Sequence, residues 1–416
     1  MAVKPLATFT PFAPPLIDER EIEAVASALQ SGWLTRGPRC ELFEAEIAEY
    51  LGAAGALAVS SCTAALHLAH LTLNLGPGQG VITSPLTFVS TAHAIVYCGA
   101  RPFLVDIDPT TGNLDPNLVR KFLTEECRLG GSGQPIHKET SLTITAISPV
   151  HYGGWPADLE AFWRLAQEFN LALVEDAAHA LGTTYNHQLI GNPSLRPNDA
   201  PPGLVCFSFY ATKNLATGEG GLLVASDPEL LERARILSAY GISDARKIWG
   251  RYAPQGTWVY DVAELGHKYN FTDIQAALGL AQLEKLPQFL ADRRERAQIW
   301  LETLAPLGDL VILPKDTPET AWHLFPLRLN LLRLKANRDQ IFQSLRDLNI
   351  GASVMFIPLH AHSYYRQILG YPWGALPLAE NFFAEEISLP ISPAVSLSQI
   401  EAAATATKAL LAELAL

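Results

Sequence analysis

No basic run, no cysteine pattern and no long apolar stretch occurs in this chain, and each absence removes a class of protein. Binding a polyanion needs a concentrated basic face. Here 42 Asp and Glu outweigh 30 Lys and Arg, for a net charge of −12, which argues against a nucleic-acid surface. Cys40, Cys62, Cys98, Cys127 and Cys206 are scattered, odd in number and without metal-ligand spacing. They fit reduced thiols in a cytosol better than a disulfide framework or a metal centre. Pro5 and Pro11 interrupt the N-terminal segment before a signal-peptide apolar region can form. No apolar stretch approaches the ~20 residues needed to cross a bilayer. A soluble, cytoplasmic protein without a membrane partner is expected. No G-x-G-x-x-G follows the first strand candidate, so a nicotinamide-dependent dehydrogenase ranks last among the readings. Internal repeats and low-complexity tracts are also missing.

What is present is a globular chain of 416 residues, 49% of them hydrophobic, long enough for two or three domains. After an acidic first turn, Ile22, Val25, Ala26 and Leu29 recur at helical spacing over 18–30. Short β-rich runs then alternate with helical patterns. Strands are expected at 56–60, 80–83, 102–106, 143–150, 171–175 and 204–210, with helices at 63–73, 87–98 and 159–169. Such alternation predicts an α/β fold with a mostly parallel sheet covered on both faces, and ligands beyond the carboxyl ends of its strands. Polar or proline-rich stretches at 124–141, 192–203 and 243–256 read as surface loops or active-site flaps. A helix is expected to begin after Thr272 and Asp273 and to end at Pro287, with a second long helix starting in 292–296. Strand candidates at 323–329 and 387–390 and helices at 338–348 and 398–414 suggest a smaller α+β C-terminal region. The expected domains are 1–255 and 256–416.

Two residues carry the chemistry. Asp176 closes an apolar strand, and Lys213 follows Phe207-Ser208-Phe209 in a loop before Gly218-Glu219-Gly220-Gly221. A lysine amine can condense with an aldehyde, and a carboxylate against a pyridine nitrogen keeps that nitrogen protonated and the ring electron-withdrawing. Together they suit pyridoxal 5'-phosphate. Taken singly, Lys213 reads as a solvated lysine and Asp176 as a helix cap. Glu175, adjacent on the strand, points to the opposite side and is not paired with Asp176 as acid and base.

The ordered set Gly32-Trp33-Leu34-Thr35-Arg36-Gly37-Pro38, Ser60-Ser61-Cys62-Thr63-Ala64-Ala65-Leu66, Val174-Glu175-Asp176-Ala177-Ala178-His179, Thr212-Lys213-Asn214, Tyr269-Asn270-Phe271-Thr272-Asp273 and Ser388-Leu389-Pro390 resembles the DegT/DnrJ/EryC1/StrS family of sugar aminotransferases over nearly the whole chain. His151-Tyr152-Gly153-Gly154, Trp249-Gly250-Arg251 and Lys268-Tyr269-Asn270 look most like the branch that forms UDP-4-amino-4-deoxy-L-arabinose. The resemblance implies the fold type I architecture of pyridoxal-phosphate enzymes and a homodimer with sites at the subunit interface. It also implies amino transfer from L-glutamate to the C4 keto group of a nucleotide-linked sugar, in polysaccharide, lipopolysaccharide or antibiotic-sugar biosynthesis.

By the same resemblance, Lys213 is the Schiff-base lysine and proton shuttle, Asp176 the pyridinium partner, and His179 a neighbour of the cofactor's phenolic oxygen. Ser61, Cys62, Thr63 and Ser208 are expected at the phosphate, where helix N-terminal amides attract an anion. Many family members have Gly where Cys62 stands, so its thiol is read as structural. Phe88 is expected to stack on the pyridine ring, and Asn270 to reach the phosphate from the neighbouring subunit. Each has a structural alternative: core aromatic for Phe88, core histidine for His179, inward strand serine for Ser208, turn residue for Asn270. His323, His360 and His362 are left without an assigned role, and no metal is expected. Competing activities are 3-keto-sugar amination, sugar dehydration, in which relatives replace the Schiff-base lysine with histidine, and non-catalytic ligand sensing.

Overall fold

A computed structural model describes residues 3–131, 133–243 and 260–416. Its centre is a nine-stranded sheet whose main path runs Leu57–Val59, Gly221–Ala225, Gly203–Ser208, Ala172–Asp176, Thr143–Ser148, Gln79–Thr83, Arg101–Leu104. Only Gly221–Ala225 runs against its neighbours; the other pairings along the path are parallel. Strands such as Ala172–Asp176 and Gly203–Ser208 are buried throughout, as expected where helices cover both faces. The predicted α/β fold with a mostly parallel sheet is therefore present. Because the central strands run the same way, their carboxyl ends deliver Asp176, Ser208 and the segments after Thr83 and Ser148 to one edge.

The expected helices form within a residue or two of their predicted limits, including Glu19–Gln30, Cys62–Thr72, Val89–Tyr97 and Leu159–Phe169. Two expectations are corrected. Pro287 does not end a helix: a single helix runs Asp273–Leu304 through it. Proline removes one backbone donor and crowds the preceding turn, at a cost of ~3 kcal/mol. Packing offsets that cost, since Leu283, Leu286 and Phe289 are buried around the proline. The 124–141 stretch is not only loop. It contains strands Cys127–Leu129 and Pro135–His137, an antiparallel hairpin joined to the main sheet at Ile136 and Thr143. Three-residue strands leave little periodicity to read and are stable only against a sheet edge.

A second core lies at the C-terminal side. A three-stranded antiparallel sheet of Val311–Ile312, Phe325–Leu329 and Glu386–Leu389 packs with helices Arg338–Asp347 and Leu397–Glu413. The long helix belongs to both cores: Ala276, Leu283 and Leu286 pack in the first, Ala297, Trp300 and Leu304 in the second. The expected domain boundary at 255/256, the Trp249-Gly250-Arg251 motif and most of 243–256 lie outside the described residues. No described helix is long and apolar enough to cross a membrane.

Candidate active site

A cavity of about 650 Å³ opens at the carboxyl edge of the main sheet. Lys213, Asp176, His179, Ser61, Cys62, Thr63, Phe88 and Ser208 all line it, although they come from well-separated stretches of chain. Asn270 does not: it bridges to Val59 and donates its amide to the Phe271 carbonyl at 3.2 Å. Neither 124–141 nor 192–203 contributes a described residue to the lining.

Asp176 ends its strand buried. Oδ2 accepts from Thr91 Oγ1 at 2.6 Å and Oδ1 from the Ala178 amide at 3.1 Å. Burial raises its pKa above the usual carboxylate range, while Thr91, Ala178 and the charge of Lys213 oppose that rise. A cation against this carboxylate would complete the compensation that two neutral donors begin. Glu175 faces elsewhere, accepting from His151 Nε2 at 2.9 Å; His151 Nδ1 in turn accepts from the Ala157 amide.

Lys213 enters from the loop after Gly203–Ser208. Withdrawal from bulk water lowers its pKa to about 8, with the buried Arg293 charge acting in the same direction. About a tenth of the amine is thus neutral at pH 7, the form that attacks an aldehyde or removes a proton.

Ser61 caps the helix Cys62–Thr72, its hydroxyl accepting from the Ala64 amide. This N-terminus is pressed against the end of Gly221–Ala225. A Cβ at Gly221 would lie 2.3 Å from the Ser61 carbonyl carbon and 2.4 Å from the Cys62 nitrogen, so only glycine permits the approach. Free helix amides, Thr63 and Ser208 hydroxyls thereby face one end of the cavity, the donor set an anionic phosphate needs. Cys62 Sγ lies 3.7 Å from the Cys206 carbonyl, and burial pushes its pKa well above the ordinary thiol value. It packs as a neutral thiol, and all five cysteines are unpaired. Pyridoxal phosphate therefore fits: amide and hydroxyl donors at one end, a carboxylate lacking a cation, and an amine of depressed pKa within the same cavity.

Phe88 is 58% exposed at the cavity wall. Its ring centroid is 6.0 Å from that of Phe356. Phe356 also stacks on His179 at 5.8 Å. Gly153 organises the histidines opposite. Its N–H donates to His179 Nδ1 at 3.2 Å and its carbonyl accepts from the His323 amide at 3.0 Å. Because Nδ1 of His179 is an acceptor, the ring proton sits on Nε2, a donor suited to a phenolic oxygen. Burial and the Lys213 charge hold His179 far below the ordinary histidine pKa, so the ring is neutral.

Several residues escaped the sequence reading. Thr91 touches Asp176 from the helix Val89–Tyr97, and Thr87 Oγ1, in the segment before that helix, lies 2.7 Å from Thr91 Oγ1. His323, left without a role above, lines the cavity with Phe12, Met355 and Phe356. No sequence signal brings positions so distant together. His360 pairs with Glu380 at 2.9 Å, away from the cavity.

Comparison with known proteins agrees with this geometry. The family model described as the DegT/DnrJ/EryC1/StrS aminotransferase family matches residues 15–408. The spore coat polysaccharide biosynthesis protein SpsC of Bacillus subtilis is 41% identical over 395 residues, covering 94% of this chain and 95% of SpsC. Among solved structures, the PLP-form of the putative sugar aminotransferase Spr1654 from Streptococcus pneumoniae superposes with a TM-score of 0.84 at 29% identity, covering 97% of this chain and 99% of that one. Its PMP-form is similar, with a TM-score of 0.83. Helicobacter pylori PseC, an aminotransferase of pseudoaminic acid biosynthesis, gives 0.83 at 27% identity, covering 98% of this chain and 100% of its own.

Proposed function

Because the chain belongs to the DegT/DnrJ/EryC1/StrS aminotransferase family, which depends on pyridoxal phosphate, we propose that it moves an amino group from L-glutamate to the C4 keto group of a nucleotide-linked sugar. The observation that carries the reading is the convergence of Lys213, Asp176 and the amides of the helix Cys62–Thr72 on one cavity. SpsC, by its name a polysaccharide biosynthesis protein, supports a cell-surface polysaccharide as the destination.

Bound pyridoxal phosphate supplies an aldehyde that carries the amino group and a ring that withdraws electrons from the adjacent carbon. Ser61, Thr63, Ser208 and the helix amides hold the phosphate end. Asp176 keeps the ring nitrogen protonated, with Thr91 fixing the carboxylate. His179 would offer its Nε2–H to the phenolic oxygen, and Phe88 would supply an aromatic face for the ring. Lys213 would anchor the cofactor covalently and, as the free amine, would remove the α-proton of the donor and return a proton to C4 of the sugar. Phe88 and Tyr210, each about half exposed at the mouth, support a homodimer in which a second copy covers the opening and contributes its Asn270.

The C4 position rests on the likeness of His151-Tyr152-Gly153-Gly154 and Lys268-Tyr269-Asn270 to the UDP-4-amino-4-deoxy-L-arabinose-forming branch. A panel of UDP- and dTDP-linked 4-keto and 3-keto sugars, incubated with glutamate and read by mass spectrometry, tests it. Aminated 4-keto sugar is expected; amination of 3-keto sugars alone would overturn the assignment.

A further inference from the structure

His323 and Asn214 form a pair whose hydrogen-bonding sense can be assigned from its surroundings. The Asn214 amide nitrogen donates to the Leu181 carbonyl at 3.2 Å and the Ala321 carbonyl at 3.3 Å. Both acceptors lack hydrogens, so the side chain cannot be turned over, and Oδ1 must face His323 Nδ1, 3.2 Å away. An amide oxygen only accepts. Nδ1 of His323 therefore carries the proton, and Nε2 carries a lone pair.

The surroundings keep it so. His323 is buried, its carbonyl accepts from Arg293 Nη1 at 3.3 Å, and no carboxylate pairs with it among the described residues. Burial and the charges of Lys213 and Arg293 hold the ring far below the ordinary histidine pKa. Arg293 is itself buried, with Nε unpartnered. Nε2 of His323 has no hydrogen-bond partner among the described residues, yet it is not among the side-chain atoms sealed from solvent, unlike both nitrogens of His70. His323 lines the cavity. The ring centroid lies 4.3 Å from that of His179, and the Lys213 charge acts on the ring, so His323 sits at the Lys213 end of the cavity. The two neighbouring imidazoles are opposite tautomers: His179 presents a donor and His323 an acceptor.

We infer that His323 Nε2 accepts a hydrogen bond from the sugar hydroxyl adjacent to the carbon being aminated, which makes His323 a specificity residue for hydroxylated keto sugars. This rests on the amino-transfer reading above and deepens it by naming the group recognised. A neutral acceptor is suited to a hydroxyl beside the Arg293 charge, because it takes a proton donor without adding charge. A site built to bind a hydroxyl also discriminates strongly against an analogue lacking it, since its buried polar group is then left unpaired.

The test has two arms. Nitrogen-15 NMR of histidine-labelled full-length protein without cofactor, with the signal assigned by loss in His323→Gln, should show Nδ1 of His323 protonated and Nε2 bare; a proton on Nε2 would overturn the inference. In the second arm, the half-reactions are followed separately by cofactor absorbance, using glutamate and then whichever nucleotide keto sugar the wild type aminates. His323→Phe should raise KM for that sugar about tenfold more than it raises KM for glutamate, and His323→Gln, which retains an acceptor, should recover part of the loss. Wild type should also prefer the sugar over its analogue deoxygenated beside the keto carbon by about tenfold, and His323→Phe should lose that preference. Equal losses in both half-reactions, or an undiminished preference in His323→Phe, would overturn it. If wild type aminates no keto sugar, the functional reading fails and the NMR arm still decides the tautomer.

Discussion

Thr91 Oγ1 donates to Asp176 Oδ2 at 2.6 Å, tying the helix Val89–Tyr97 to the end of the strand Ala172–Asp176. Since the single hydroxyl proton of Thr91 is committed to the carboxylate, Thr87 must be the donor in the 2.7 Å contact between the two threonines. The carboxylate is thus oriented by a two-step relay from Thr87, in the segment just before the helix, through Thr91 in its first turn. Thr91→Val should keep the fold but remove a bond that favours the ionised carboxylate, slowing glutamate α-proton exchange by about tenfold, the scale of one charged hydrogen bond. Asp176→Asn should slow exchange more. Deuterium exchange by NMR reads both; an unchanged rate in Asp176→Asn would reject the electron-sink role.

Lys213 titrates at about 8 because burial disfavours its charged form. Only the neutral amine attacks an aldehyde, so recombination of cofactor-free protein with pyridoxal phosphate should accelerate as pH rises through about 8 and then level. Stopped-flow absorbance measures this, and borohydride should then attach the cofactor to Lys213. A profile still rising toward 10.5 would show that the lysine is not desolvated in the cavity.

Glu386 is buried beneath the cavity wall, where its carboxyl accepts from the Met355 amide at 2.8 Å and from the Ser388 hydroxyl. Burial raises its pKa from 4.5 to about 8. The folded protein therefore retains a proton that the unfolded chain releases near 4.5, so this group's contribution to stability falls as pH rises from 4.5 to about 8 and is constant above. Glu386→Gln keeps an acceptor without the charge. It should gain stability over wild type across that window, by up to roughly 4 kcal/mol at pH 8, measured by urea unfolding. A pH-independent difference would refute the assignment.

Asn270 does not line its own chain's cavity, while the proposed dimer brings it to the partner's phosphate end. Mixing inactive Asn270→Ala and Lys213→Ala subunits should restore activity in hybrid dimers, toward a quarter of wild type at statistical mixing, because one of the two sites then carries both native residues. Hybrids detected by mass spectrometry without activity would remove Asn270 from the shared site.

Much of this was legible in one dimension because its causes are local. Alternating short apolar runs and helical spacing dictate a mostly parallel sheet, and strand direction then places Asp176 at a carboxyl edge. The motifs around Lys213 and Ser61 mark the candidate amine and the candidate phosphate end, while the capping role of Ser61 came from the structure. The Pro287 expectation failed for a non-local reason: burial of Leu283, Leu286 and Phe289 against distant residues outweighs a local helix-breaking preference. The same holds for His323. Its tautomer depends on Asn214, whose own orientation depends on carbonyls at Leu181 and Ala321. Residue types and spacing determined the fold class, and with the family resemblance they singled out Lys213 and Asp176 as candidates; which way each buried proton points was decided only by tertiary structure, since a hydrogen bond's direction is set by all the partners it meets in space.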